Sequence, residues 1–490
     1  MKVDKKVVNS FANQLEEVYD PENFKQLGYQ LIDVLAASLH ASKTQKENVL
    51  SEHTPHQLLS EWPLQHGKIS SDEMQNVFHK IAASSMHIHH PHYAGHQNAV
   101  TVPLAALGQF IAATLNNATG IFQMGPVHSV MEKRVVDWMC EKIGYGSDAS
   151  GFLTSGGSLA NLTALLAARQ VMSDNIWENG VKDQANLCIL VSDQAHYSAR
   201  RVMQIMGFGK ENIVIVKTNK NFQIAESAQL EEAYFAALEK SLKPIAVVGS
   251  ATNTGPGTFD DLNVIAEFCQ RNNLWFHVDA AHGGTTLLSK KYKELLSGIE
   301  KADSVIWDLH KTLLMPGIAT AVLFKKAAHS LQAFKHNAPY LAYKAKQQKE
   351  IEDCWDENIN RTFECTKPPM ATGLYLALSC YGEEFFGNYI DYAFDLAKEF
   401  SEKLINAGFE ILLTPQSNIV NFRYLANQPD LNVLQEDIFY KLNQSGKFFI
   451  VKTKFDNKTY LRTSLMNPMT TIQDLEELIV TIKKIAHSET

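Results

Sequence analysis

The stretch SVIWDLHKTLLMPG, from Ser304 to Gly317, places Lys311 among mostly apolar residues. Lysines are rarely buried without a partner, so this position requires a reason. Desolvation favours the neutral amine, which is the form that condenses with an aldehyde. Two interpretations remain open from this stretch alone. Lys311 either ends a strand with its ammonium in water, or it is a nucleophile in a protected site.

A second stretch, LWFHVD from Leu274 to Asp279, reads as a short buried strand. It is followed by residues with almost no side chain, including Ala281 and Gly283. A carboxylate at the end of such a strand can contact the edge of a flat ligand. Asp279 and Lys311 are the two groups that a pyridoxal phosphate enzyme needs, since a lysine binds the aldehyde and a carboxylate keeps the pyridine nitrogen protonated.

These residues resemble those of the group II pyridoxal-phosphate-dependent amino-acid decarboxylases, which include glutamate, diaminobutyrate and aromatic amino-acid decarboxylases. The matches are HVDAA at 277–281 and the His310-Lys311 pair, and further matches extend from about His90 to Pro468. The resemblance implies pyridoxal 5'-phosphate as cofactor and the type I fold of pyridoxal phosphate-dependent transferases. It also implies an amino-acid substrate and a homodimer with its active site at the subunit interface.

The order of apolar runs independently predicts an α/β fold. Helical patterns such as 262–272 separate several of these runs, which is typical of a mainly parallel sheet with helices on both faces. The predicted strands are 187–191, 213–216, 245–248, 274–278, 304–307 and 321–324. We divide the chain into an N-terminal helical segment (1–95), a large cofactor-binding α/β domain (96–375) and a small C-terminal α+β domain (376–490).

A glycine-rich turn, Ser155-Gly156-Gly157-Ser158, precedes an alanine- and leucine-rich helix. Glycines let backbone N–H groups approach an anion, and a helix N-terminus favours negative charge. Two glycines before a helix are often only a tight turn. The resemblance implies that this turn binds the cofactor phosphate. The turn lacks the Gly-Lys-Ser/Thr ending of a nucleotide triphosphate site.

Further cofactor contacts are expected where strands end, because ligands of open α/β sheets bind there. The resemblance implies that His196 stacks on the pyridine ring and that Ala281 packs on the opposite face. It implies that Thr254 lies near the ring hydroxyl. Asp308 and His310 are expected near the phosphate or the lysine.

Three residues are expected to contact the substrate. The resemblance implies that Arg462 binds a substrate carboxylate, for which a guanidinium is well suited. It implies that Gln97 and Asn98 face the substrate side chain. Together they favour a polar amino acid of the glutamate or 2,4-diaminobutyrate type.

The polar region 340–367 departs from the family pattern. In the family this region is a mobile loop whose tyrosine protonates the carbanion left by carbon dioxide. Here no tyrosine occurs between Tyr343 and Tyr375, and Trp355 lies near the expected place. An indole cannot donate a proton as a phenol does. An aldehyde synthase, which couples decarboxylation to oxidative deamination, and an aminotransferase are therefore alternatives to simple decarboxylation.

The run MHIHHPHYAGH from Met86 to His96 contains five of the 18 histidines. Zinc sites usually combine histidine with cysteine or carboxylate at defined spacing, and the neighbouring sequence offers none. We therefore expect no metal here. A metal-binding or scaffold protein on a degenerate fold is the alternative from a different functional class.

Charge and cysteine content restrict the partners and the compartment. The net charge of −8 disfavours nucleic acid and anionic membranes as partners. The six cysteines lack metal-site spacing and predict no disulfide framework, so we expect a reduced, cytoplasmic chain. The N-terminal residues have no apolar signal-peptide core, and no apolar run reaches the length of a membrane span.

Overall fold

The computed structural model describes residues 5–50, 53–64, 67, 69–173, 175–334 and 355–487. Most of the region in which the catalytic-loop tyrosine was sought, up to residue 354, therefore lies outside the described residues. The helices are α1 (Lys5–Val18), α2 (Pro21–Lys43), α3 (Pro55–Glu61), α4 (Ser71–Ser84), α5 (Pro103–Leu115), α6 (Pro126–Ile143), α7 (Gly157–Met172), α8 (Ile176–Asn179), α9 (Tyr197–Ile205), α10 (Ser227–Glu239), α11 (Leu262–Asn272), α12 (Ala327–Ser330), α13 (Thr372–Asn406), α14 (Leu431–Gln444) and α15 (Ile472–His487). The strands are β1 (Ser150–Thr154), β2 (Leu187–Ser192), β3 (Ile213–Val216), β4 (Lys243–Ser250), β5 (Trp275–Asp279), β6 (Ser304–Asp308), β7 (Thr320–Phe324), β8 (Phe409–Ile411), β9 (Ile419–Tyr424), β10 (Val451–Phe455) and β11 (Lys458–Ser464).

The chain forms two compact units. One unit comprises Met1–Ala94, Asp437–Phe449 and Met469–Thr490, and the other comprises Gly95–Glu436 and Ile450–Pro468. The second unit contains both the large sheet and the smaller four-stranded sheet. The units thus group residues that are distant in sequence, and the division into three consecutive segments stays a prediction.

The large sheet has seven strands in the order β1-β7-β6-β5-β4-β2-β3. The four pairs of neighbouring strands between β6 and β3 in this order are parallel. Strand β7 runs antiparallel to both β6 and β1. The predicted α/β class and mainly parallel sheet are confirmed. Strand β1 was not predicted, because its five residues include Ser150, Gly151 and Thr154 and resemble the start of the glycine turn.

Both faces of this sheet are buried, which explains its continuous apolar strands. Successive residues of a strand point to opposite faces. In β2, Leu190 joins the apolar cluster on one face, while Ile189 and Val191 join the cluster on the other. Helices on the two sides complete these clusters, so the carboxyl ends of the strands are held in a rigid frame.

The smaller sheet has the order β10-β11-β9-β8, and all of its pairings are antiparallel. Strand β11 lies beside β9, with Arg462 opposite Asn421. Helix α13 precedes this sheet and is kinked at Gly382, where φ is +70°. A left-handed conformation of this kind favours glycine.

In the first unit, His87, His90 and His92 of the histidine run are buried, whereas His96 of the same run belongs to the second unit and is exposed. His87 Nδ1 lies 2.8 Å from the Asn48 carbonyl oxygen, and His92 Nε2 lies 3.3 Å from Asp474 Oδ1. Burial lowers the pKa of His90 to about 4. Across the described ranges, no group of three or more His, Cys, Asp or Glu side chains is arranged to hold a metal ion. Nor does any described helix have the length and apolar character needed to cross a membrane.

Candidate active site

One cavity lies where β2, β4, β5 and β6 end, as expected for a sheet of this topology. The structure brings most of the predicted cofactor residues to its wall. These are Gly157, Ser158, His196, Thr254, Asp279, Ala281, Asp308, His310 and Lys311. Strands β5 and β6 are parallel neighbours, and this places the end of one, Asp279, beside the segment that leads from the other to Lys311.

Lys311 is paired with a carboxylate. Its Nζ lies 2.8 Å from Asp308 Oδ2. Burial lowers the pKa of Lys311, but the negative charges of Asp308 and Asp279 outweigh this effect and raise the pKa above its ordinary value. The expectation of a neutral amine, based on desolvation alone, is therefore wrong for this state of the chain. The apolar sequence around Lys311 does not reveal that a buried counter-ion, Asp308, lies next to its amine.

Asp308 is itself fixed from several sides. It is buried at the end of β6, and Thr320 Oγ1 on β7 donates a hydrogen bond to Asp308 Oδ1. His310 Nε2 lies 3.6 Å from Asp308 Oδ2, and His310 Nδ1 lies 2.8 Å from the Ala319 carbonyl oxygen. Asp308 and His310 thus lie beside Lys311, as the resemblance implied.

A directed chain of hydrogen bonds orients Asp279. Trp275 Nε1–H can only donate, so it donates to Ser304 Oγ, which then donates to His277 Nδ1. His277 Nε2–H in turn donates to Asn161 Oδ1 at 2.8 Å, and Asn161 Nδ2 donates to Asp279 Oδ2 at 3.0 Å. Burial lowers the pKa of His277 to about 4, so its ring is neutral at pH 7.

The same asparagine links Asp279 to His196. Asn161 Nδ2 also donates to Ser198 Oγ at 2.9 Å, and Ser198 Oγ–H donates to His196 Nδ1 at 2.8 Å. His196 Nδ1 is therefore an acceptor, which leaves the proton of the neutral ring on Nε2. Burial lowers the pKa of His196. One buried network thus fixes both the carboxylate and the imidazole at the cavity.

The glycine turn leads from β1 into α7. Gly156 has a φ of +123°, a conformation that favours glycine. A Cβ at Gly157 would lie 3.3 Å from Asp308 Oδ1, so only glycine leaves this side of the cavity open. Ser158 lines the cavity. Ser155 and Gly156 adjoin it, and Ser155 Oγ donates to Glu364 Oε1 at 2.9 Å.

The three predicted substrate contacts are placed differently. Arg462 is buried, and its Nη2 and Nε donate to the carbonyl oxygens of Thr254 (2.7 Å) and Gly255 (3.3 Å). Burial lowers its pKa to about 10. Arg462 therefore lies directly behind the cavity wall at Thr254. The structure does not bring Gln97 and Asn98 into this wall, since Gln97 is half-buried and Asn98 is exposed.

Sequence reasoning missed three members of the site, namely Ser250, His282 and Ile306. It also missed the role of His277 in orienting Asn161. Strand periodicity carried a signal, because His277 and Asp279 are two residues apart and point to the same side of β5. Helix periodicity carried another, because Asn161 follows Gly157 by four residues on one face of α7.

Two buried polar atoms at the cavity have no hydrogen-bond partner within the described part of the chain. They are Thr252 Oγ1 and His282 Nδ1. His282 Nε2 lies 2.8 Å from Asn418 Oδ1, and burial lowers the pKa of His282 to about 3, so the ring is neutral. Orphaned atoms of this kind destabilise a protein unless a ligand or water satisfies them. The cavity is therefore built to receive a polar group.

Comparisons with known proteins agree with this chemistry. A family model described as the pyridoxal-dependent decarboxylase conserved domain matches residues 55–425. An aromatic-L-amino-acid decarboxylase of Bacillus atrophaeus is 28% identical over 479 residues, covering 95% of this chain and 96% of the relative. An L-2,4-diaminobutyrate decarboxylase of Acinetobacter baumannii is 27% identical over 438 residues, covering 86% and 84%. The apo structure of mouse CSAD shares the fold, with a TM-score of 0.88, 24% identity and coverage of 95% and 99%.

Proposed function

Because the chain belongs to the family of pyridoxal-dependent decarboxylases and is a pyridoxal phosphate-dependent amino-acid decarboxylase, we propose that its substrate is a polar L-amino acid of the glutamate or 2,4-diaminobutyrate type. The observation that carries this proposal is the cavity itself. Lys311 and Asp279 share it. Among the described residues that line it, Ala281 and Ile306 are the only apolar ones apart from glycine.

The wall residues fit pyridoxal phosphate. When bound, this cofactor supplies an aldehyde that joins amines and a protonated ring that accepts the electron pair released with carbon dioxide. We assign the phosphate to the turn Ser155-Gly156-Gly157-Ser158, whose backbone N–H groups start α7. The two orphaned atoms, Thr252 Oγ1 and His282 Nδ1, add hydrogen-bonding capacity to the same wall.

The remaining cofactor residues act on the ring. Asp279, held by Asn161, keeps a proton on the ring nitrogen, because a carboxylate beside this nitrogen favours its charged form. His196 and Ala281 would hold the two faces of the ring, and Thr254 would lie near its hydroxyl. The neutral ring of His196 stacks without adding a charge that would oppose the protonated nitrogen.

Lys311 would provide the amine that holds the cofactor through its aldehyde. The amine must first lose a proton, and Asp308 Oδ2 at 2.8 Å is positioned to accept it. His310 Nε2 lies 3.6 Å from the same oxygen, Asp308 Oδ2. Asp308 and His310 are thus proposed to set the protonation of Lys311.

Arg462 is proposed to bind a carboxylate of the substrate. Its Nη2 and Nε are held by the backbone at Thr254 and Gly255, which fixes the plane of the guanidinium. A fixed guanidinium next to the cavity wall binds carboxylates with little loss of side-chain entropy. Gln97 and Asn98 stay proposed contacts of the substrate side chain.

The proposal predicts that the purified enzyme releases carbon dioxide from glutamate-type or diaminobutyrate-type amino acids faster than from aromatic ones. A panel of L-amino acids, assayed for carbon dioxide, amine, ammonia and hydrogen peroxide, tests it. We expect equal amounts of amine and carbon dioxide. Ammonia and peroxide in the same amount as carbon dioxide would instead indicate an aldehyde synthase. This alternative is kept because Trp355, near the expected place of the family tyrosine, has no phenol that could donate a proton. Turnover that depends on a keto acid would indicate an aminotransferase.

We also propose that the enzyme is a homodimer with its active site at the subunit interface. Helix α5 carries three exposed apolar residues at intervals of four, namely Leu107, Ile111 and Leu115, which are 44%, 46% and 57% exposed. A stripe of this kind on a helix marks an interaction surface. The proposed compartment is the cytoplasm, where the free and buried Cys140, Cys188 and Cys269 stay reduced.

Light scattering after size-exclusion chromatography should give twice the mass of the chain. Ile111→Asp places a charge in the middle of the stripe, and we expect it to produce monomers. Val433→Asp, at a residue of α14 that is 57% exposed, is the control and should remain dimeric. A dimeric Ile111→Asp variant would show that α5 is not the interface.

A further inference from the structure

A carboxylate contacts Ser155, the first residue of the turn to which we assign the cofactor phosphate. Glu364 Oε1 accepts a hydrogen bond from Ser155 Oγ at 2.9 Å. Its other oxygen, Oε2, is buried and accepts no hydrogen bond from the part of the chain that the structure describes. An acceptor with one oxygen on the turn and one oxygen unsatisfied is poorly stabilised there.

Glu364 is held at the turn by residues on either side of it. Arg361 Nη1 donates to Ser150 Oγ at 3.0 Å, at the start of β1. Lys367 Nζ donates to the Leu153 carbonyl oxygen at 2.9 Å and forms a buried ion pair with Glu132. Both anchors lie on the strand that leads directly into Ser155. Contacts on both sides of Glu364 thus hold the segment 361–367 against β1.

The two acceptors cannot share the Ser155 hydroxyl. A phosphate monoester carries about −1.5 to −2 charges at pH 7, and a carboxylate next to it is repelled. Both groups also need the same donor. We propose that Glu364 holds the hydrogen-bond position of the phosphate on Ser155 while the cofactor is absent, so that cofactor binding has to displace it. Glu364 is then a positioning residue that lowers the affinity of the enzyme for its cofactor.

This inference rests on the proposed phosphate site, and its test measures binding rather than turnover. The cofactor-free wild type and Glu364→Gln are titrated with pyridoxal phosphate, following absorbance and protein fluorescence. Glutamine keeps the size of the side chain and removes its charge. We expect the Kd of Glu364→Gln to fall about tenfold, the effect of about 1.4 kcal/mol of relieved repulsion. Glu364→Ala should also bind more tightly.

Glu357→Gln is the matched control, since Glu357 lies in the same region, is also half-buried and contacts Asn360 rather than the turn. Its Kd should equal that of wild type. If Glu357→Gln tightened binding as much as Glu364→Gln does, the effect would come from the lower net negative charge of the protein and not from the contact of Glu364 with Ser155. That result would overturn the proposal. Unchanged or weaker binding by both Glu364 variants, with normal circular dichroism, would also overturn it.

Ser155→Ala separates this inference from the proposed function. We expect it to weaken cofactor binding and to reduce the gain from Glu364→Gln to less than about twofold in the double variant, because coupled residues are not additive. If Ser155→Ala leaves the Kd unchanged, the phosphate does not use the Ser155 hydroxyl and the inference fails, while the assignment to the backbone N–H groups of the turn stands. If Ser155→Ala weakens binding while Glu364→Gln does not tighten it, only the role of Glu364 is wrong.

Discussion

Lys311→Ala should abolish covalent attachment of the cofactor and lower kcat by about 10²–10⁴-fold, the range for loss of a positioned proton-transferring group. Lys311 supplies the amine at the cavity, and alanine removes both this amine and the partner of Asp308. The measurement is borohydride reduction of the loaded protein, tryptic digestion and mass analysis. In wild type the added mass should be on the peptide that contains Lys311, and the variant should lack it.

Two control variants test whether these effects are specific to the amine of Lys311. Lys293→Ala removes an exposed lysine outside the cavity and should keep both the reducible adduct and the activity. Lys311→Arg keeps a cation beside Asp308, so it should fold as wild type does, yet a guanidinium cannot form the adduct. If Lys311→Ala formed a reducible adduct as fast as wild type, another lysine would hold the cofactor.

The charge of Lys311 illustrates what the sequence could not supply. The apolar neighbours left open whether Lys311 is protected from water. The structure shows it half-buried, with a counter-ion, Asp308, three residues earlier in a segment without helical periodicity. Whether the two side chains converge depends on the turn after β6 and on the packing of β7, which fixes Asp308 through Thr320. Desolvation could be read from the sequence, whereas the opposing Coulomb interaction required the geometry.

Most of the large sheet was predictable from the sequence. Strands buried on both faces are continuous apolar runs, and six such runs, antiparallel β7 among them, were found close to their observed limits. The edge strand β1 was not predictable in this way. Strand β1 pairs with β7, about 170 residues later in the chain, and no local pattern encodes a contact of that separation. The two compact units also combine segments that are distant in sequence, and no local pattern predicts which segments come together.

Site residues on regular elements were predicted better than those on irregular segments. Asp279 and Ser158 follow from the end of a strand and the start of a helix, and both line the cavity. Gln97 and Asn98 lie in a segment without regular structure, where neither period 2 nor period 3.6 applies, and they do not line it. Glu364 also lies between elements, so its contact with Ser155 had no sequence signal.

Asp279→Asn should reduce kcat by about 10²–10³-fold, the effect of removing one preorganised electrostatic group, while changing the cofactor Kd by less than about tenfold. Asparagine preserves the shape of the side chain and can still accept the hydrogen bond from Asn161 Nδ2, so the buried network should persist. The neutral asparagine cannot stabilise a positive charge on the ring nitrogen. We therefore expect kcat to fall while the affinity for the cofactor changes little. The measurement is kcat together with the Kd from a titration with pyridoxal phosphate.

Asp303→Asn is the control for this expected difference between the effect on kcat and the effect on the cofactor Kd. Asp303 is a half-buried carboxylate that accepts a hydrogen bond from the Phe276 amide at 2.9 Å, at the end of the sheet opposite to the cavity. Removing its charge should leave kcat within about twofold, since it touches no group at the site. A wild-type kcat in Asp279→Asn would refute the role of Asp279 at the ring nitrogen. Equal losses of rate and of cofactor affinity would place Asp279 in cofactor binding alone, because an interaction made more strongly in the transition state lowers the rate beyond its effect on binding.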